Sequence, residues 1–149
     1  MAGRPAIGFA LREMKSMFFT SPAVEKAIDQ GTYRAFLRFG QYVRKVARHS
    51  IKSIPGPSAP GTPPHGHTGL LKGHIYYGFD QAQRSVVIGP ARLKKPSYGL
   101  TTVPELQEYG GVVKGRDRKR HAYPERPYMG PAFEAGQEKL DDFWRDSVK

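Results

Sequence analysis

The stretch from Tyr33 to Ile51, YRAFLRFGQYVRKVARHSI, decides the fold. Its apolar residues recur every three or four positions, which is the spacing of one face of an α-helix. They are Tyr33, Phe36, Leu37, Gly40, Val43, Ala47 and Ile51. The opposite face carries Arg34, Arg38, Gln41, Lys45, Arg48 and Lys52. We therefore predict a long amphipathic helix that buries the first set and exposes the second.

The residues before this helix predict a shorter helix and an arm. Ser21-Pro22 has the form of a helix start, with Ser as the N-cap and Pro in the first helical position. Gly31 is expected to end this short helix, and Thr32 is expected to cap the long one. Residues 1–20 are predicted to form an N-terminal arm or strand.

A Pro/Gly-rich segment, PGPSAPGTPPHGHTG, occupies residues 55–69 and holds five prolines and four glycines. Such a composition excludes a helix or an inner strand and predicts an extended, polyproline-like course. The segment has too few apolar residues to belong to the core. An extended arm loses little entropy on docking, so we expect an assembly contact here. Its candidate residues are Pro55, Pro57, Pro60, Pro63, Pro64, His65 and His67.

The second half of the chain predicts two hairpins and a short helix. HIYYGFD at 74–80 and SVVIGPA at 85–91 are rich in β-forming residues and are separated by four residues, which is typical of an antiparallel hairpin. Pro104 to Gly110 predicts one or two helical turns. Val112-Val113 and His121–Tyr123 flank a basic loop at 114–120 and are predicted to pair as a second hairpin.

A final helix is predicted to open at Gly130-Pro131. Its expected buried stripe is Phe133, Gln137, Leu140, Phe143, Trp144 and Val148. We predict one domain over residues 1–149 of α+β class. A small antiparallel sheet is expected to pack against one long amphipathic helix, with a C-terminal helix beside it.

The charge favours a polyanionic partner. The chain has 24 Lys and Arg against 13 Asp and Glu, a net charge of +11. Solvated helix faces usually mix signs, yet no acidic residue lies between Thr32 and Ile54. The candidate contacts with DNA or an acidic protein ring are Arg34, Arg38, Lys45 and Arg48 on the helix, and Lys114, Arg116, Arg118, Lys119 and Arg120 in the loop.

Two further expectations follow from the charges. Five cations within 114–120 repel one another, so we expect this loop to be mobile in the free protein and to settle only against a negative surface. Residues 132–149 carry five acidic and three basic residues, which suits contact with a basic neighbouring copy.

No combination of residues predicts catalysis. The absence of cysteine excludes disulfides, thiolate metal sites and a cysteine nucleophile. His65 and His67 lie in the Pro/Gly loop without a closed ligand set. Glu105 and Glu108 are expected on a solvated helix face. We predict no enzyme activity, no metal and no cofactor, and no apolar run is long enough to predict a membrane span.

Four stretches, taken in order, resemble the tail-completion, or head–tail joining, proteins of long-tailed bacteriophages, a group that includes neck and minor tail proteins. They are SAPGTPPHGHTGLLKGHIYYGFD at 58–80, RSVVIGPAR at 84–92, TVPELQEYGG at 102–111 and RPYMGPAFE at 126–134. The resemblance covers the chain from about Ala23 to its end. Residues 1–19 match least well, and the loop at 114–120 is individual to this chain.

The resemblance implies a virion structural protein without enzyme activity. It implies a ring of six copies at the junction of neck and tail, assembled in the host cytoplasm. The implied partners are connector or neck proteins and the tail terminator or tail tube, with unspecific contact to genomic DNA. Two alternatives stay open: an unspecific basic nucleic-acid-binding protein, and a tail terminator that caps the tail tube. Whether the basic loop faces DNA or protein also stays open.

Overall fold

A single long helix organises the fold. The computed structural model describes residues 22–91, 102–115 and 117–147, and its helix α1 runs unbroken from Pro22 to Ser50. The expected break at Gly31 is wrong: Gly31 is buried, and the Thr32 hydroxyl, the expected cap, donates to the Ile28 carbonyl at 2.8 Å. A glycine inside a helix costs about 1 kcal/mol, which is less than the cost of nucleating a second helix. Residues 1–20 and Ser21 lie outside the described residues.

The buried row of α1 repeats every fourth residue. Its members are Gly31, Ala35, Phe39, Val43 and Ala47, and Ile51 continues the row just past the end of the helix. The predicted stripe is therefore correct from Gly40 onward and wrong at its first residue, because Tyr33 is 46% exposed; Phe36 and Leu37 are half-buried. Residues four apart on a helix form a ridge, and the side chains of neighbouring elements pack into the grooves on either side of it. Near its start the small Ala35 lies on that ridge, whereas Tyr33 and Phe36 lie beside it.

The first hairpin is confirmed. Strand β1, Ile75–Asp80, pairs antiparallel with β2, Ser85–Pro90, and the Asp80 carboxylate accepts backbone N–H groups of the turn between them. The hairpin packs on α1 at Gly40, where a Cβ carbon would lie 2.8 Å from Cδ2 of Tyr77. Glycine at this position permits the close approach of helix and hairpin.

The Pro/Gly-rich segment folds back on the end of α1. It contains no helix or strand, and the single turn α2, Leu70–Gly73, follows it. The Gly66 amide donates to the Lys52 carbonyl at 3.0 Å, and a Cβ at Gly66 would lie 3.4 Å from Cγ2 of Ile51. Pro64 is fully buried and Ser58 nearly so. The expectation that none of the segment belongs to the core is wrong at Pro64, because a proline ring is itself apolar.

A short helix and the second hairpin follow, both as predicted. Helix α3, Val103–Tyr109, begins with a capping box between Thr102 and Glu105. Strand β3, Gly111–Lys114, then pairs antiparallel with β4, Arg120–Tyr123. Tyr98 and the other residues of 92–101 lie outside the described part of the chain.

The predicted final helix is two helices. Helix α4 is Met129–Gln137 and helix α5 is Leu140–Arg145, with one tightened turn between them. The expected stripe is wrong at Phe133, Gln137 and Trp144, which are exposed, and right at Leu140 and Phe143, which are half-buried. Ala132 and Gly136 are the buried residues of α4, because small residues let it lie close to α1. Val148 lies outside the described residues.

The core lies where α1 meets the first hairpin and the C-terminal helices. It is built from Phe39, Val43, Ala47, Ile51, Ile75, Tyr128 and Ala132. Small antiparallel hairpins beside a long helix and C-terminal helices make an α+β fold, which confirms the predicted class.

Candidate interaction surfaces

The cations of α1 form an exposed basic face. Arg34, Arg38 and Lys45 are exposed and make no ion pair with a described residue, while Arg48 is half-buried. Arg44, which was not among the predicted contacts, instead donates from Nε to the Ile75 carbonyl at 2.7 Å and joins α1 to β1. The helix thus presents unpaired positive charge to solvent.

The loop at 114–120 is a closed turn. Lys114, Arg118, Lys119 and Arg120 are exposed, and Arg116 lies outside the described residues. The Gly115 amide donates to the Lys119 carbonyl at 2.8 Å, and the Arg118 amide donates to the Gly115 carbonyl at 3.1 Å. Arg118 adopts a left-handed backbone with φ of 62°. The chain therefore reverses tightly at the tip of the hairpin.

Asp117 organises this turn. Its carboxylate lies 3.0 Å from the Lys119 amide, which donates to it, and 3.0 Å from Nε2 of His121. The hydrogen bond to His121, followed by that from Lys119, lowers the pKa of Asp117. The Asp117 carboxylate thus gives the described part of the loop an anchor within the chain. Mobility of the loop in the free protein stays a prediction.

The β3–β4 hairpin is largely exposed to solvent. Every residue of β4 is exposed, and in β3 only Val113 is half-buried. Val112 lies opposite Ala122 and Lys114 lies opposite Arg120, so these two pairs share one face. Two cations directly opposite each other destabilise an antiparallel pair. A two-stranded hairpin is only marginally stable by itself in water, so this one is suited to gain stability from a partner.

Glu108 joins α3 to the start of α4. Its carboxylate accepts the backbone N–H groups of Tyr128, Met129 and Gly130 at 2.9, 3.0 and 2.8 Å. These amides have no partner inside a helix, and a negative charge at a helix start is favourable. The expected solvated position of Glu108 is therefore wrong. The sequence carries one signal of the contact made by Glu108. The N-cap residue of α4 is Tyr128, whose side chain makes no capping hydrogen bond to the start of the helix.

Arg126 ties the Pro/Gly-rich segment to the same place. Its backbone amide donates to the Gln107 carbonyl at 2.6 Å, and its Nε donates to the Ser58 carbonyl at 3.0 Å. The Gly61 amide donates to the Glu125 carbonyl at 2.9 Å. Residues 58–61, 107–108 and 125–130 thus meet in one hydrogen-bonded junction, which we call the Glu108 junction.

Three buried side-chain atoms near this junction lack a hydrogen-bond partner among the described residues: Ser58 Oγ, Gln107 Oε1 and Tyr128 Oη. Burial, with the charge of Glu108 as a smaller cause, raises the pKa of Tyr128 well above its ordinary value. A cavity of about 330 Å³ is lined by Tyr128, Glu108 and Met129 together with residues of β2 and α3. The site keeps the Tyr128 phenol protonated.

The predicted assembly residues of the Pro/Gly-rich segment differ in how far they are exposed to solvent. Pro55, Pro57, Pro60 and His67 are exposed, Pro63 and His65 are half-buried, and Pro64 is buried inside its own chain. Nδ1 of His65 lies 3.2 Å from the Gly56 carbonyl oxygen. Within residues 22–91, 102–115 and 117–147, no three metal-ligating side chains come together.

A groove of about 850 Å³ lies between the first half of α1 and the tip of the first hairpin. It is lined by Lys26, Asp29, Tyr33, Phe79 and Arg84, among others. Arg84 and Asp29 form an ion pair at 3.4 Å across it, and both side chains are largely exposed. No sequence signal pointed to this groove.

Comparison of the chain with models of known families, with curated proteins and with solved structures finds no match in any of the three. In the described part of the chain, no helix is both long and apolar enough to cross a membrane.

Proposed function

We propose that this chain is a virion structural protein of a long-tailed bacteriophage and that it joins head to tail as a ring around the DNA channel. The observation that carries the proposal is the Glu108 junction, where three of the stretches that resemble tail-completion proteins contact one another. Stretches that are distant in sequence and meet in one cluster act as a structural unit. A resemblance that extends to all of them in order is therefore more specific than a resemblance to each alone.

The exposed cations support the DNA-channel part of the proposal. Lys and Arg side chains that contact phosphates hold a protein on DNA without reading bases, and a channel needs that tolerance. Arg34, Arg38 and Lys45 on α1 are exposed and without a described carboxylate partner. In this proposal six copies form the ring, a connector or neck protein lies on one side, and the tail terminator or tail tube lies on the other.

The same cations favour a second candidate, an unspecific nucleic-acid-binding protein that acts outside any particle. Such a protein binds duplex DNA of any sequence, and its affinity falls steeply as salt rises because bound counterions are released. The two candidates differ in what is lost when the protein is missing. A joining protein is needed for particle assembly, whereas a free nucleic-acid-binding protein is not.

The test is to inactivate the gene in the phage that carries it and to examine the lysate by electron microscopy. We expect DNA-filled heads and complete tails that remain separate, and the purified protein should join them when it is added back. Normal tailed particles would exclude the joining role. Normal particles together with tight, salt-sensitive DNA binding by the purified chain would establish the second candidate.

A further inference from the structure

We propose that the β3–β4 hairpin of one copy docks on the acidic face of helices α4 and α5 of a second copy. The contact uses two different surfaces, so it runs head to tail. It deepens the proposed function, on which it rests, by naming the contact that joins neighbouring copies in the ring.

The hairpin offers a face with an apolar base and a basic tip. Val112 and Ala122 lie opposite each other at the base, Lys114 and Arg120 lie opposite each other near the tip, and all four are exposed. Val112 keeps 57% of its surface in water, and Tyr109, just before β3, keeps 79%. The opposed cations repel each other, and carboxylates laid across them relieve that repulsion.

The C-terminal helices offer the complementary face. Met129–Ser147 contains five acidic and two basic residues. Glu134 and Glu138 lie one helical turn apart, Asp141 follows in the first turn of α5, and all three are exposed. None of them forms an ion pair with a described residue; in this region only Asp142 does, with Arg145 at 3.6 Å.

Exposed aromatic residues flank the acidic face. Phe133 is 44% exposed and Trp144 is 42% exposed, although each contacts an aromatic residue of α1. Protein interfaces combine apolar and charged residues, and both of these surfaces carry both kinds. A DNA backbone offers Val112 and Tyr109 no apolar surface to bury. The exposed apolar residues therefore favour a protein partner for this hairpin over DNA.

Both surfaces remain available within one copy. In the described residues no ion pair joins the hairpin to α4 or α5, so neither set of charges is neutralised by the other. A contact between two different surfaces repeats from copy to copy and closes into a ring when the rotation allows it. Charge complementarity also sets the register of such a contact.

Charge reversal tests the contact on the whole purified chain. The hairpin variant carries Lys114→Glu, Lys119→Glu and Arg120→Glu, and the helix variant carries Glu134→Lys, Glu138→Lys and Asp141→Lys. A double variant carries both sets. Self-association is measured by sedimentation at low salt. Zero-length cross-linking of an equal mixture of ¹⁵N-labelled and unlabelled copies identifies links between copies.

We expect wild type to give links from Lys114 or Lys119 to Glu134, Glu138 or Asp141 of another copy. Each single variant should lower the association constant by at least about tenfold, because like charges then face each other. The double variant, and an equal mixture of the two single variants, should restore association. Circular dichroism checks folding, and Lys114→Gln, Lys119→Gln and Arg120→Gln together provide a milder loss of charge.

A matched control reverses three other exposed cations through Lys26→Glu, Lys52→Glu and Arg84→Glu, and it should associate as wild type does. The inference is overturned if wild type yields no hairpin-to-helix link between copies at any concentration, or if the double variant stays dissociated. It is also overturned if the hairpin variant loses DNA binding while self-association is unchanged. If one of these outcomes overturned the inference but the gene-inactivation test still gave separate heads and tails, the proposed function would remain supported.

Discussion

Gly136 in α4 and Val43 in α1 approach so closely that a Cβ carbon at position 136 would lie 2.5 Å from Cγ2 of Val43. The same carbon would lie 3.0 Å from Cε2 of Phe39. Both Gly136 and Val43 are buried, so this contact sets how near the C-terminal helices lie to the long helix.

Gly136→Ala is expected to destabilise the protein by about 1–3 kcal/mol, because the added methyl group overpacks the contact with Val43. In an ordinary helix interior a Gly→Ala change stabilises the protein by roughly 0.5–1 kcal/mol. The sign of the measured change in unfolding free energy therefore distinguishes overpacking from the ordinary effect. Urea unfolding followed by circular dichroism measures it. Gly78→Ala is the matched control, since nothing lies within 4 Å of a Cβ there. If the Gly136→Ala protein were as stable as wild type, α1 and α4 would be able to move apart without loss of unfolding free energy.

Val43→Asp is expected to abolish soluble folded protein. Val43 is fully buried in the middle of the α1 ridge, and a charge buried there without a partner costs at least about 3 kcal/mol. Arg38→Asp, on the exposed face of the same helix, should leave folding intact. Expression and thermal melting of the two variants measure the difference. Equal melting temperatures would mean that the buried face of α1 is assigned wrongly.

Glu108→Gln is expected to lower stability by about 1–2 kcal/mol, because a neutral amide has one acceptor oxygen where the carboxylate serves three backbone N–H groups. Hydrogen exchange should also speed up at the amides of Met129 and Gly130. Glu125→Gln, at an exposed position nearby, is the control and should change neither quantity. Unchanged exchange in the Glu108 variant would argue against this cap.

Tyr128→Phe is expected to alter how stability depends on alkaline pH. Burial raises the pKa of Tyr128 in the folded chain, so above about pH 10 the unfolded chain loses this proton while the folded chain keeps it. The stability of wild type therefore falls as pH rises through this range, and the variant should lose less. Below pH 10 the variant should be at least as stable, because the buried hydroxyl has no partner among the described residues.

Denaturant unfolding between neutral pH and about pH 11 measures this difference around the ordinary tyrosine pKa. Tyr76→Phe serves as the control because Tyr76 is more than half exposed, and it should follow wild type throughout. Parallel curves for wild type and Tyr128→Phe would show that this phenol titrates equally in the folded and unfolded chains.

The sequence by itself determined the local elements of this protein. The helix through Val43 and Ala47, both hairpins, and the helical turns that begin at Pro104 follow from residue spacing and backbone preference within a few neighbours. The surplus of positive charge is likewise a property of composition alone. These features were predicted because each depends only on residues close together in the chain.

Only the tertiary structure decided what those elements contact. Ala35, and not Tyr33, is buried because a small residue on the ridge lets neighbouring elements approach. Glu108 caps a helix 20 residues further on, and Gly136 lies against Val43. Each of these outcomes depends on atoms brought together from distant parts of the chain, which the spacing of neighbouring residues cannot specify.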